Sequence, residues 1–164
     1  MKKKAVFLDR DGVINEVVFH DSEKPSSPWK FEEFKLIRGI KKPLEELSSM
    51  GFYLFIVSNQ PDISKGYIEE GTTEKINALI YEKFPIDEIM ICPHVEEDNC
   101  DCRKPKPGML LKLSKKWIID LRESFLIGDS WKDIEAGKAA GCTSILLDKP
   151  YNKGIKADYR VRNL

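Results

Sequence analysis

Five short stretches, each with an uninterrupted run of apolar residues, recur along the chain. An amphipathic segment lies between each successive pair. The stretches are AVFL, FYLFIVSN, EIMIC, SFLIGD and TSILLD, which begin at residues 5, 52, 88, 124 and 143. Strands without polar alternation are typical of parallel sheets, because helices cover both faces of such a sheet. The sequence therefore predicts a three-layer α/β fold with a doubly wound, mostly parallel sheet.

The segments between the strands have the spacing of amphipathic helices. They are IKKPLEELSSMG, TTEKINALIYEKF, GMLLKLSKKW and WKDIEAGKAAG. In the second segment Ile76, Leu79 and Ile80 fall on one stripe, and Thr72 is the predicted N-cap. The tail ADYRV predicts a short edge strand. The polar segment 15–34, which is rich in Pro and Ser, predicts an inserted loop or flap.

Length and charge narrow the class of protein. The 164 residues suit a single domain spanning residues 1–164. Lys plus Arg and Asp plus Glu each number 27, which gives no support to a nucleic-acid or membrane-surface binder. The longest apolar run, FYLFIV, is far shorter than the ~20 residues of a membrane span. The apolar stretch after the basic start ends before Asp9, too early for a signal peptide. We expect a cytoplasmic protein, and the sequence does not indicate its oligomeric state.

Polar residues follow four of the predicted strands. They are DRDG after the first strand, SNQ after the second, the Cys/His cluster with RK after the third and GDSWKD after the fourth. Ligands of such sheets bind beyond the carboxyl ends of the strands. We therefore expect these residues to converge on one binding site.

Asp9 and Asp11 stand two positions apart in DRDG. The period of an extended chain can aim both carboxylates to one side. Two close carboxylates repel each other, so one of them tends to keep its proton unless a cation intervenes. Such a pair suits a nucleophile and a general acid. For DRDG taken alone, an ordinary strand-end turn is the alternative.

Cys92, His94, Cys100 and Cys102 form a C-x-H and C-x-C arrangement. Three thiolates and an imidazole suit tetrahedral Zn²⁺ in a closed structural site. In a reducing compartment, clustered cysteines favour a metal over disulfides. The alternative is a set of buried cysteines with an incidental histidine. The charged residues around the cluster favour zinc over that alternative.

Arg103 and Lys104 directly follow the last predicted zinc ligand. A zinc site would fix this loop and, with it, the two cations. The planar fork of an arginine suits phosphate oxygens, and a lysine supplies a point charge. We expect the pair to bind an anionic substrate, with a solvated surface pair as the alternative.

Four motifs, in this order, resemble those of the haloacid-dehalogenase superfamily of phosphatases. DRDG resembles motif I, Ser58 in IVSNQ motif II, Lys104 in CRKPKPGM motif III and Asp129 in LIGDSWKD motif IV. The resemblance covers nearly the whole chain. It implies a Rossmann-like fold without a cap domain, with a zinc-binding loop. DRDG, NQ, CPH…CDCRKPKPGM and GD together are similar to the heptose bisphosphate phosphatase and histidinol phosphatase group.

The resemblance implies Mg²⁺-dependent hydrolysis of a phosphomonoester through an aspartyl-phosphate. Asp9 would be the nucleophile and Asp11 the general acid and base. Ser58 and Lys104 would meet the charge of the phosphoryl group. Mg²⁺ would bind the Asp9 carboxylate, the Asp11 backbone carbonyl and Asp129. In the resembling group the residues matching Cys92, His94, Cys100 and Cys102 bind Zn²⁺. The predicted substrate contacts are Arg10, Ser58, Asn59, Gln60, Arg103 and Lys104.

The resemblance also indicates a small phosphorylated metabolite, and foremost a sugar bisphosphate, as the substrate. The PKPGM stretch is nearer to the heptose enzymes, so a heptose bisphosphate ranks before histidinol phosphate. The stretch EVVFHDSEKPSSPW departs from the DHGY-like stretch of the heptose enzymes. An inactive interaction protein stabilised by zinc is the alternative of another class. The presence of Asp9, Asp11, Ser58, Lys104 and Asp129 speaks against it.

Several further residues have open roles. Asp133 either supports the metal site or is a charge in the first turn of a helix. His20 lies in the polar insertion, where it either touches the substrate or stays on the surface. Trp131 is expected to be a packing residue, although its place beside Asp129 would also suit the pocket wall. Cys142 is expected to be a small core residue and not a metal ligand.

Overall fold

One sheet with parallel neighbours lies at the centre of residues 3–164, the part of the chain that the computed structural model describes. Its strands are β1 (Ala5–Leu8), β2 (Tyr53–Asn59), β3 (Glu88–Cys92), β4 (Phe125–Gly128), β5 (Thr143–Leu147) and β6 (Tyr159–Val161). Their order is β3-β2-β1-β4-β5-β6, and every neighbouring pair runs parallel. The predicted fold class is confirmed, and the predicted edge strand in the tail is β6.

Helices cover both faces of the sheet. They are α1 (Lys41–Ser49), α2 (Pro61–Ser64), α3 (Thr72–Lys83), α4 (Gly108–Trp117) and α5 (Trp131–Ala140), with 3₁₀ turns at Phe31–Glu33, Glu96–Asp98 and Leu121–Glu123. Successive strand residues point to opposite faces. Leu8 shares one core cluster with Leu44 of α1 and Ile80 of α3. Phe7 shares the other cluster with Leu113 of α4. Because both faces of β1 are buried, its sequence shows no polar alternation.

Two of the helices, α2 and α3, differ from expectation. Gly71, with a φ of 77°, is the N-cap of α3, so the prediction of Thr72 at this position is wrong. Gly71 adopts this left-handed backbone conformation without the steric cost that a Cβ would bring. Helix α2 was not predicted, because its four residues are too few to show a helical period, although Pro61 suits its first position.

Segment 15–34 is a loop that is closed at its base. The Glu16 N–H donates to the Lys35 carbonyl at 2.8 Å, and Val18 and Ser26 exchange two backbone hydrogen bonds of 2.9 and 2.8 Å. Apart from isolated bridges and one 3₁₀ turn, the segment has no regular structure. Within residues 3–164 no separate cap domain is present, as the resemblance implied. The assignment of residues 1–164 to one domain stays a prediction.

The α-helices within residues 3–164 are 4 to 12 residues long. None of them is both long enough and apolar enough to cross a membrane.

Candidate active site

A cleft of about 540 Å³ opens at the carboxyl ends of the strands. Strands β2 and β4 flank β1, so residues that follow these three strands meet although they are distant in sequence. Asp9 and Asp11 line the cleft after β1, Asn59 lines it at the end of β2, and Asp129 lines it after β4. Lys104 reaches the same cleft from the loop after β3. The strand pattern therefore predicted the correct edge of the sheet.

The Lys104 ammonium lies among buried carboxylates. Its Nζ donates to Asp133 at 2.6 Å, to Asp9 at 2.9 Å and to the Val57 carbonyl at 2.7 Å. Burial opposes the charged form of this side chain, which is 3% exposed. The carboxylates of Asp133 and Asp9 outweigh burial and raise the pKa of Lys104 above its ordinary value. Lys104 therefore stays charged where a phosphoryl group would need a cation.

Asn59 holds the backbone of Lys104. Its Nδ2 donates to the Lys104 carbonyl at 2.9 Å, and the Lys104 N–H donates to its Oδ1 at 3.0 Å. The two bonds join the end of β2 to the loop after β3. Asn59 lines the cleft, but its amide is occupied by Lys104. In this structure its side chain therefore positions the lysine, and a contact with substrate stays a prediction.

Asp9, Asp129 and Asp133 each place a carboxylate oxygen within 4.8 Å of the others. Burial and then the charge of Asp133 raise the pKa of Asp9 well above its ordinary value. The same two causes raise the pKa of Asp129 to about 6, although a hydrogen bond donated by the Tyr151 hydroxyl opposes the rise. This group of carboxylates offers the hard oxygen ligands that a divalent cation prefers.

The bonds of Asp133 narrow the choice of metal ligands. Its Oδ1 accepts from Lys104, and its Oδ2 accepts from the backbone N–H and the hydroxyl of Ser130 at 3.0 and 2.7 Å. Both oxygens are occupied, which leaves the carboxylates of Asp9 and Asp129 for a metal. These two, with the predicted Asp11 carbonyl, fit Mg²⁺. In this structure Asp133 caps α5 and holds Lys104, so its side chain is not simply a solvated charge.

Gly12 allows the turn after β1 to approach Asp129. Its φ is 89°, and a Cβ built on this residue would lie 1.9 Å from Asp129 Oδ2. The Asp129 carboxylate fills the space in front of Gly12, so a side chain at this position would displace it.

The Asp11 carboxylate accepts hydrogen bonds from four side chains. Asn15 Nδ2 donates to Oδ1 at 2.9 Å, while Ser27 Oγ and Gln60 Nε2 donate to Oδ2 at 2.8 and 2.7 Å. The Arg10 guanidinium donates at 3.2 Å. The Asp11 side chain is nevertheless 14% exposed and lines the cleft. Asp11 is therefore fixed in orientation and still reachable by a ligand.

Three of the residues predicted to contact substrate lie behind the cleft wall. Arg10 is 1% exposed, and Ser58 and Gln60 are fully buried. The guanidinium of Arg10 is paired with Asp11, and Gln60 Nε2 donates to Ser58 Oγ at 2.8 Å as well as to Asp11. The structure brings Arg10 and Gln60 onto Asp11, with Ser58 next to Gln60. Direct contacts of these three residues with substrate stay predictions.

The predicted zinc ligands form one cluster. Cys92 Sγ lies 3.6 Å from Cys100 Sγ, 3.6 Å from His94 Nδ1 and 3.0 Å from Cys102 Sγ. Zinc–sulfur bonds of about 2.3 Å would set tetrahedral sulfur ligands about 3.8 Å apart. The cluster is close to that size, so these residues could hold Zn²⁺. Burial raises the pKa of the Cys92 thiol to about 12. A nearby cation is therefore needed to stabilise its thiolate form.

Backbone carbonyls of the zinc loop, residues 92–102, accept hydrogen bonds from Arg103 and Lys106, which follow it. Arg103 lines the cleft, and its Nη1 donates to the His94 carbonyl at 3.1 Å. Lys106 Nζ donates to the carbonyls of Cys100 and Asn99 at 2.9 and 3.2 Å. The position of Arg103 therefore depends on the same loop that carries the zinc ligands.

The structure settles the positions of several residues whose roles were open. Trp131 is 51% exposed and lines the cleft, whereas Cys142 is a buried core residue outside the cluster. His20 does not line the cleft and stacks on Trp29, with ring centroids 3.6 Å apart. Tyr151 was not predicted, although it follows β5. Ligands bind beyond the carboxyl ends of the strands, and this rule, the carboxyl-end rule, applies to β5 too. Ser27 was missed because nothing in a Ser- and Pro-rich loop singles out one serine.

Comparisons with known proteins identify the family of the chain. The sequence model of the family described as haloacid dehalogenase-like hydrolase matches residues 13–147. A relative from Campylobacter jejuni, named D-glycero-alpha-D-manno-heptose-1,7-bisphosphate 7-phosphatase, is 38% identical over 152 residues, which cover 90% of this chain and 83% of the relative. A relative from Rhodopseudomonas palustris, named as the enzyme of the beta anomer, is 36% identical over 152 residues, which cover 85% and 81%.

A solved structure is similar over almost the full length. It is D,D-heptose 1.7-bisphosphate phosphatase from B. bronchiseptica complexed with magnesium and phosphate, with a TM-score of 0.81 and 26% identity. The match covers 98% of this chain and 93% of that chain. The family match, the identity to the relatives and this likeness of fold show that the chain belongs to the haloacid dehalogenase-like hydrolase family.

Proposed function

We propose that this chain is a Mg²⁺-dependent phosphatase of a small sugar bisphosphate, and that D-glycero-D-manno-heptose 1,7-bisphosphate, cleaved at its 7-phosphate, is the first candidate. The observation that carries the proposal is the contact between Lys104 and Asp9, with Asp11 and Asp129 in the same cleft. The names of the relatives support the choice of sugar.

The two aspartates after β1 divide the chemistry. An Asp9 carboxylate oxygen attacks phosphorus and forms an aspartyl-phosphate, while the bond from phosphorus to the sugar oxygen breaks. Asp11 gives its proton to the departing oxygen. Asp11, now ionised, takes a proton from water, and that water attacks phosphorus and releases inorganic phosphate and free Asp9.

Cations in the cleft would offset the negative charge of the phosphoryl group. Lys104 places an ammonium on Asp9, next to the oxygen that would attack phosphorus. When bound at Asp9, Asp129 and the Asp11 carbonyl, Mg²⁺ would offset negative charge on the phosphoryl oxygens. Asp133 and Asn59 hold Lys104 for this contact from its side chain and its backbone.

The second phosphate of a bisphosphate needs further positive charge in the cleft. Arg103 and Lys132 line it together, and burial, then the nearby Arg103 charge, lowers the pKa of Lys132. An anion bound between them would relieve this repulsion. The zinc loop supports the proposal because it fixes Arg103.

A panel of phosphorylated metabolites tests the proposal. The panel contains the alpha and beta anomers of the heptose bisphosphate, hexose bisphosphates and histidinol phosphate. We expect the largest kcat/KM for one heptose bisphosphate, dependence on Mg²⁺, and a loss of at least about 10³-fold in Asp9→Asn. Highest activity on histidinol phosphate would overturn the choice of sugar. Equal activity of wild type and Asp9→Asn, or none from either, would overturn the phosphatase itself.

A further inference from the structure

We propose that Ser27 is a positioning residue for Asp11, and that Asp62 holds the loop that carries Ser27 against the cleft. The proposal rests on the proposed function, in which Asp11 gives a proton to the leaving oxygen. Residues 17–29, within the loop 15–34, form the flap. In the proposed mechanism the flap supplies none of the groups that attack phosphorus, transfer protons or bind Mg²⁺.

Ser27 is the flap's contact with the reacting groups. Its Oγ donates to Asp11 Oδ2 at 2.8 Å, and the residue is 8% exposed at the cleft wall. The other donors to Asp11 are Arg10 and Asn15, which follow β1 and lie before the flap, and Gln60, which directly follows β2. A carboxylate that first gives and then takes a proton must keep its orientation toward the reacting oxygen. The flap supplies one of the bonds that fix this orientation.

Asp62 in α2 binds the residues on either side of Ser27. Its Oδ2 accepts from Ser26 Oγ at 3.2 Å and from Trp29 Nε1 at 3.0 Å, and its Oδ1 accepts from Lys65 Nζ at 3.2 Å. Burial opposes the charged form of Asp62, but these donors outweigh it and lower its pKa. An ionised, 7% exposed carboxylate therefore brackets Ser27 through hydrogen bonds from Ser26, one position before it, and Trp29, two positions after it.

Aromatic contacts complete this attachment. His20 stacks on Trp29 with centroids 3.6 Å apart, and Tyr67 lies 4.9 Å from the same indole. His20 Nε2 lies 3.0 Å from the Ser27 carbonyl oxygen, and the Glu69 N–H donates to the Trp29 carbonyl at 3.0 Å. The backbone around Ser27 is thus held from two directions, which places its hydroxyl on Asp11.

Two substrates with different leaving groups distinguish a role of Ser27 that acts through Asp11 from a merely structural role. A sugar oxygen needs a proton as it departs, whereas para-nitrophenolate leaves as a stable anion without one. The ratio kcat/KM reports steps up to that departure. We expect Ser27→Ala to lower kcat/KM about tenfold for the best sugar phosphate of the panel, and less than about twofold for para-nitrophenyl phosphate. Ser27→Thr keeps the hydroxyl and should retain the wild-type ratio.

Matched variants test the flap as a whole. Asp62→Asn should show the same preferential loss on the sugar phosphate, with a smaller magnitude, because Ser27 itself remains. Ser22→Ala is the control: its exposed hydroxyl contacts the Lys24 carbonyl within the flap at 3.4 Å. Neither substrate should be affected by that change. Should Ser27→Ala fail to give a cooperative thermal transition, Ser27→Cys replaces it, since a thiol is a weaker donor of similar size.

The outcomes are distinguishable. Equal losses on the two substrates, or no loss in the Ser27 variants, would overturn the role of Ser27 while leaving the phosphatase in place. A loss in Ser22→Ala as large as that in Ser27→Ala would overturn it as well, because any change in the flap would then have the effect. An inactive wild-type protein would overturn this proposal together with the proposed function.

Discussion

Lys104 and Asp133 form an ion pair of 2.6 Å between the loop after β3 and the first turn of α5, and their side chains are 3% and 1% exposed. The same ammonium reaches Asp9, so this pair joins three segments of the chain at one point. Removing one partner of a buried pair leaves the other charge without compensation, and that loss exceeds what the intact pair contributes.

Lys104→Met should therefore impair both stability and catalysis. It leaves Asp133 and Asp9 facing each other without a cation, and we expect a loss of about 3–5 kcal/mol in the free energy of unfolding in urea. Phosphatase activity should fall by at least about 100-fold. Lys115→Met, an exposed lysine of α4, is the control and should change the free energy of unfolding by less than about 0.5 kcal/mol. Similar values for the two variants would contradict the described role of Lys104.

Gly12→Ala should displace Asp129. The new Cβ would lie 1.9 Å from the Asp129 carboxylate, so the rise in Tm caused by Mg²⁺ and the phosphatase activity should be largely lost. Gly141→Ala is a matched control, because its φ of 84° is similar but nothing lies within 4 Å of its Cβ. That variant should show only the backbone cost of about 1–2 kcal/mol and a normal response to Mg²⁺. A normal Mg²⁺ response in Gly12→Ala would show that Asp129 is not a ligand.

The Cys/His cluster predicts one zinc per chain by elemental analysis. Cys100→Ser should lose the metal and lower Tm, because the loop before Arg103 and Lys104 is then held by fewer bonds. Cys142→Ala, a cysteine outside the cluster, should keep its zinc. A Cys100→Ser protein that folds and retains one zinc per chain would refute the site.

In the absence of Mg²⁺, the free energy of unfolding should depend on pH because Asp129 binds a proton more tightly in the folded protein. Its pKa of about 6 in the folded protein exceeds the ~3.9 of an unfolded aspartate, so the folded state binds more protons between these values. The contribution of this group to the free energy of unfolding is full below about pH 4 and is lost as pH rises through about 6. The buried Asp9, whose pKa is also raised, acts in the same direction.

Mg²⁺ needs the ionised carboxylates, so it should raise Tm little at about pH 5 and more at about pH 7. Thermal unfolding with EDTA and with Mg²⁺ at these two pH values measures the effect. Asp129→Asn should show no comparable rise at either pH. Equal rises at the two pH values in the wild type would contradict the assignment of Asp9 and Asp129 as ligands.

The succession of the strands and of the four longer helices along the chain was readable from the sequence, as was the sheet edge at which the polar residues after the strands meet. Strands buried on both faces carry runs such as FYLFIV, and the carboxyl-end rule singled out the residues after β1, β2, β3 and β4. The same rule holds for β5 and singles out Tyr151, a residue not predicted, which follows that strand and donates to Asp129.

The directions of individual side chains were not readable. Arg10 and Gln60 follow strands in the expected places, yet their side chains turn to Asp11. Whether a side chain faces the cleft or its support depends on partners such as Asp11, which are set by tertiary packing. The bond from Ser27 to Asp11 spans 16 positions of irregular loop, for which no sequence period gives a register.

The central claim, that Asp9 carries the phosphoryl group while Asp11 moves the protons, is tested most directly by the intact mass of Asp11→Asn after incubation with Mg²⁺ and para-nitrophenyl phosphate. This leaving group departs without a proton, whereas hydrolysis of the aspartyl-phosphate needs the missing base. We predict that one phosphoryl group accumulates on Asp11→Asn and that none is found on the Asp9→Asn, Asp11→Asn double variant. Accumulation on both proteins, or turnover by Asp11→Asn at the wild-type rate, would contradict the account.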